Sequence, residues 1–146
     1  MTDEPQRSAP AAGRPAAPIG PLFAALTGLT SLAILLQAVF AGEVIDPGRS
    51  GGWLSAHNVN ADVVVGLAVV TAVYAFVVLR DSARPLVIGA VVLAVIAIAQ
   101  TAIGHAITHS HDNGLLVIHV PLALLAFGLT IWLSVSAAAL RRGAHG

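Results

Sequence analysis

Apolar positions in this chain neither alternate with polar ones at the period of a strand nor fall on the one-sided stripe of a helix in water; they run on continuously. Four such runs, Pro21 to Ala41, Trp53 to Leu79, Pro85 to Ile107 and Leu115 to Leu140, are each long enough to cross a hydrocarbon layer. That layer is about 30 Å thick, and a helix climbs about 1.5 Å per residue. A helix that is apolar all round has no face for water, so each run predicts a membrane-spanning helix. Polar junctions part them: Gly42 to Gly52, the tight Arg80 to Arg84 turn ahead of Pro85, and the histidine-rich stretch His105 to Gly114. Short connections favour antiparallel neighbours. The predicted fold class is therefore all-α, a four-helix transmembrane bundle over residues 21–142, running up-down-up-down and built of two repeated helical hairpins.

The ends read differently. Residues 1–20 carry Pro5, Pro10, Pro15 and Pro18 among Ala, Gly, Ser and charges, and such a segment buries too little apolar surface to offset the entropy of ordering. It is expected to be a disordered tail, and residues 143–146 a second, short one. The first run is longer than a signal-peptide core and follows a leader of mixed charge, so it is expected to be retained.

Composition narrows the chemistry. Of 146 residues, 57% are hydrophobic and 10% charged, and the formal net charge is zero. There is no basic surface for nucleic acid, and the surrounding partner is membrane lipid. Arg7, Arg14, Arg80, Arg84, Arg141 and Arg142 fall on one side of the predicted bundle and only Arg49 on the other. The positive-inside rule then places both termini in the cytoplasm and the protein in the cytoplasmic (inner) membrane. With no Cys, thiolate metal sites, iron–sulfur clusters and covalent haem attachment are excluded, leaving the six His as the strong nitrogen ligands.

Two of those histidines sit in a repeat. Residues 57–67 of the second run and 119–129 of the fourth share His, Ala, Gly and Leu at the same offsets: His57, Ala61, Gly66, Leu67 against His119, Ala123, Gly128, Leu129. Gln37 lies 20 residues before His57 and Gln100 lies 19 before His119, each followed closely by a glycine, Gly42 or Gly104. A parallel repeat relates its halves by an axis along the membrane normal, which puts His57 and His119 at one depth on helices running the same way. In a square bundle those helices are diagonal, so two inward imidazoles face each other as in a bis-histidine haem. Positions 4, 7 and 11 residues on return to within about 40° of each histidine. They are Ala61, Val64 and Ala68 on one helix and Ala123, Ala126 and Thr130 on the other, small enough to leave a slot for a flat macrocycle. Small residues also let membrane helices pack with no cofactor. Gly66 and Gly128 point the other way and are assigned to helix packing outside the slot.

The outer-side Gln and Gly closing one helix and the His opening the next, repeated, resemble one four-helix half of haem A synthase. They are also similar to small bacterial four-span proteins of b-type-cytochrome character. The resemblance covers residues 21–140 and implies that His57 and His119 are axial ligands of haem b. It departs at Leu54, where the family has an acidic residue, in the missing Cys pair, and in having one half instead of two; it implies haem binding rather than haem hydroxylation. The expected function is electron transfer to or from a redox partner or quinone, with Asn58, Gln37 and Gln100 nearest in depth to hydrogen-bond and orient the ligand rings. Were the chain an enzyme, it would be an oxidoreductase, a haem-dependent quinone or metal reductase. The oligomeric state is not legible.

Other polar residues offer other readings. His105 and His109 share a helical face and, with His111 or Asp112, have spacing that chelates a divalent metal at the outer end; the simpler reading is a solvated loop capping the helix. His105, the nearest of these to the core, is a substitute axial ligand if His119 is not one. Asp62, the one carboxylate inside a run, reads as a proton-relay candidate reaching outward through Gln37 or Gln100, or as a group bonding a neighbouring helix. A haem-free accessory or assembly subunit, or an outer-face metal-binding protein, are the alternatives to the cytochrome.

Overall fold

The computed structural model describes residues 20–45, 51–110 and 113–143, and among them there is helix and no strand. The first helix, α1 (Pro21–Ile45), opens on a proline, whose missing N–H costs nothing in a first turn. The second, α2 (Gly52–Tyr74), passes directly into a π-helical turn over Ala75–Leu79. The chain reverses there, with Ser82 and Ala83 both donating their N–H to the Leu79 carbonyl, at 3.1 and 2.8 Å. The third helix, α3 (Arg84–Ser110), again carries proline in its first turn. A 3-10 turn, Asn113–Leu115, leads into α4 (Leu116–Gly143), which holds Pro121 near its start.

Each helix packs against its sequence neighbours, and α4 closes the ring against α1, so α2 and α4 stand on one diagonal of a square, as expected. Alanines line the interior: Ala33, Ala68, Ala72, Ala90, Ala94, Ala97, Ala126 and Ala137 are all buried. Small side chains let backbones approach closely, which is how helices associate where lipid removes the hydrophobic drive. Gly89 makes room for side chains of α4, since a Cβ there would stand 2.6 Å from the Trp132 ring and 3.0 Å from the Leu133 side chain. Thr27, Thr30, Thr71 and Thr130 are fully buried too. Their hydroxyls are satisfied within their own helices, for example Thr30 to Leu26 O at 2.7 Å and Thr71 to Leu67 O at 2.7 Å.

The large apolar residues are largely on the outside, such as Leu35, Val70, Val95 and Leu124. All four helices are long and apolar enough to cross a membrane, and the chain is a four-helix bundle with a lipid-facing exterior. The helices outrun the apolar runs. The α3 helix continues to Ser110, and polar side chains of its last turns are satisfied on carbonyls four residues back: Thr108 on Gly104 at 3.0 Å, His109 on His105 at 2.9 Å and Ser110 on Ala106 at 2.6 Å. Apolarity marks where hydrocarbon ends, whereas a helix ends where its backbone bonds do. The tail of residues 1–19, together with Asp46, Arg49, His111, Asp112 and His145, lies outside the described residues.

Candidate functional site

At the end of the bundle where α1 turns to α2 and α3 to α4, the repeat becomes a repeated interaction. Gln37 of α1 donates its amide N–H to the backbone carbonyl of His57, Nε2 to O 3.0 Å. Gln100 of α3 does the same to His119 at 2.9 Å. Each glutamine thus ties a helix to its hairpin partner at the residue bearing the imidazole. Gln37 and Gln100, expected to orient the rings, instead hold the main chain beneath the histidines.

Both histidines are half-buried. Nδ1 of His57 and Nδ1 of His119 are both buried with no protein partner. The inward face beneath them is as expected: Ala61 and Ala123 are half-buried, and Val64, Ala68, Ala126 and Thr130 are buried. His119 lies against α3 at Gly104, where an added Cβ would meet its Cε1 at 3.4 Å. Gly42 has no such role, for nothing lies within 4 Å of its Cβ position. One helical turn beyond Gln37 stands Ala41, the counterpart of Gly104, so the match of the two glycines in sequence is not a match in space.

The halves differ at one residue. Asn60, one turn after His57, donates Nδ2–H to the Ala33 carbonyl at 2.8 Å and to Gln37 Oε1 at 2.6 Å. The matching residue after His119 is Leu122, which has no donor, and Gln100 Oε1 is left buried and unpartnered. Asn60 was missed by the sequence reading, although an amide inside a membrane run is itself a signal.

Three expectations fall elsewhere. Asp62 is exposed on the outward side of α2, apart from Gln37 and Gln100. Gly66 and Gly128 are exposed as well, with nothing within 4 Å of their Cβ positions, so none of the described helices packs on them. The rings of His105 and His109 are exposed and 6.4 Å apart between centroids, nearly perpendicular. His109 Nδ1 is engaged with the His105 carbonyl, His111 is not described, and among the described residues no group of three donors is placed to hold a metal ion. The chain matches no protein-family model, and neither curated proteins nor solved structures show a relative.

Proposed function

We propose that the chain is a b-type haem protein of the cytoplasmic membrane, with the haem iron held between His57 and His119 near the outer face and serving electron transfer with a membrane redox partner or quinone. One observation carries this reading: two imidazoles at matched positions of a repeat, on diagonal helices, each keep a buried nitrogen that the protein itself does not satisfy. An unpaired polar atom in a core costs about 1–3 kcal/mol, and a polar group within a membrane marks function by default. A metal ion held by those nitrogens would turn that cost into binding.

The donor set fits the group. Neutral imidazole is a standard haem ligand, and the residues one turn on from the two histidines, Ala61 and Ala123, are small and half-buried. Haem would supply a one-electron redox centre. The chain's own part is to fix the ligands and the medium. Gln37 and Gln100 pin the backbone under each histidine, so ring height is set by the helix pairs, and the alanine-lined interior below keeps water away. The arginines at the opposite end, Arg80, Arg84, Arg141 and Arg142, are exposed; positive-inside then turns that end to the cytoplasm and the histidine end outward.

The test is a reduced-minus-oxidised spectrum of the full chain purified in mild detergent after expression with haem precursor. A low-spin b-type signal near one haem per chain is expected, lost in His57→Ala and in His119→Ala while helicity persists. A colourless wild-type protein of intact helicity, or unchanged haem content in both variants, overturns the reading in favour of a haem-free subunit.

A further inference from the structure

The outward face of α2 is unlike that of its repeat mate. Ser55, Val59, Asp62, Gly66, Val69 and Val73 follow at alternating steps of four and three residues, and all six are exposed. That spacing is the seam along which two helices wind about each other. At Gly66 the backbone is open, with nothing among the described residues within 4 Å of a Cβ position, so another backbone can come close. The matched face of α4 presents Leu124, Ile131 and Val135 around Gly128, a bulky apolar surface without a polar group. It shows what a face made only for lipid looks like in this protein.

Asp62 sets the α2 face apart. It is the eleventh residue of the 28-residue span Gly52–Leu79, which places it about 15 Å from one end of a rod about 42 Å long and only about 5 Å from its middle. A short carboxylate side chain cannot reach the boundary of the hydrocarbon from there. No hydrogen bond or ion pair joins it to any described residue of the chain. An acid exposed to lipid at that depth is costly unless another group meets it.

We propose that this face is the interface of a parallel homodimer, α2 against α2 of a second copy, with the two Asp62 carboxyl groups hydrogen-bonded across the twofold axis. In a parallel pair equivalent positions meet, so the group that meets Asp62 is Asp62 of the partner copy. A carboxyl is self-complementary, one oxygen donating a shared proton and the other accepting. No Lys or Arg stands between the first and last turn of any helix, so the chain has no cation to offer it at this depth. Lipid tails carry no hydrogen-bonding group. A metal ion needs several donors, and the valines and glycine around Asp62 supply none. One polar position in an otherwise apolar seam fixes register, which is the best attested use of such a group. The face lies on the far side of α2 from His57, so the proposal stands or falls apart from the haem.

The absence of Cys from the chain makes the test direct. Gly66→Cys and Gly128→Cys are introduced singly into the full-length protein, reconstituted in phospholipid vesicles at low protein-to-lipid ratio, and oxidised. Gly66→Cys should form a disulfide dimer and Gly128→Cys should remain monomeric. Adding Asp62→Leu, the residue at the matched α4 position, should weaken dimerisation about tenfold, and Asp62→Asn, which still pairs with itself, should largely keep it. Equal crosslinking at both positions, none at Gly66→Cys in a helical protein, an unchanged yield in Asp62→Leu, or a Gly66→Cys adduct with a different protein in native membranes instead of a dimer, each overturns the proposal.

Discussion

Replacing either glutamine by leucine deletes the same bond to a histidine carbonyl, yet the two changes should differ in cost. Gln37→Leu removes the 3.0 Å bond to His57 O and the 2.6 Å bond from Asn60, leaving Asn60 with the Ala33 carbonyl alone. Interhelical hydrogen bonds in a membrane average about 0.6 and reach about 1.7 kcal/mol. Two of them give a loss of about 1–2 kcal/mol, with little cavity because leucine is of similar size. Gln100→Leu removes only the 2.9 Å bond to His119 O, and with it a buried unpartnered Oε1. Relief of an unpaired acceptor is worth about 1–3 kcal/mol, so the net change should be near zero or stabilising. The converse change is Leu122→Asn, which puts a donor where Asn60 stands in the other half; it should stabilise by up to about 1.7 kcal/mol, and not at all in a Gln100→Leu background. Unfolding of the haem-free protein by added SDS in mild detergent, followed by helical ellipticity, measures all four variants. If Gln100→Leu destabilises as much as Gln37→Leu, or if Leu122→Asn acts the same with and without Gln100, the asymmetry argued from Asn60 is wrong.

Two further outcomes follow from the packing and the charge distribution. Gly89→Ala should cost about 1–3 kcal/mol in the same unfolding assay, because its Cβ would sit 2.6 Å from Trp132 and 3.0 Å from Leu133; Gly128→Ala, with nothing within 4 Å, should be neutral or slightly stabilising, and equal effects would refute the close approach of α3 and α4. A reporter enzyme that works only outside the cytoplasm should be silent when fused after Arg142 and active when placed between Gly42 and Gly52, and the reverse pattern would invert the orientation proposed from the arginines.

The architecture was legible because membranes leave few options. A continuous apolar run of some twenty residues must close its backbone bonds internally, so run length alone gave the four helices, and short junctions gave their antiparallel order. What run length does not encode is where a helix stops. The last turns of α3 hold His109 and Ser110, polar by type, yet both satisfy themselves on carbonyls one turn back and so are accommodated within the helix. The π-helical turn Ala75–Leu79 was invisible for a similar reason. It differs from α-helix only in which carbonyl each N–H meets, and its residues are as apolar as their neighbours.

The site was legible where it obeys the repeat and illegible where it departs from it. Matching offsets predicted correctly that Gln37 and Gln100 stand beside His57 and His119, and the inward alanines follow from the same helical arithmetic. Matching could not tell a glutamine on the imidazole from a glutamine on the carbonyl beneath it, since both lie within one side chain's reach of the same residue. It also overvalued what recurs: Gly42 and Gly104 align in sequence but only Gly104 touches a histidine, and Gly66 and Gly128 recur without packing against any of the described helices. The differences carry more. Asn60 against Leu122 decides whether a glutamine oxygen is satisfied, and Asp62 against Leu124 gives one outward face a hydrogen-bonding group that lipid cannot answer. Two hairpins with one backbone plan thus differ in hydrogen-bonding capacity through single side chains. In a chain with so few polar residues, each departure from the repeat is a sharper guide to function than the repeat itself.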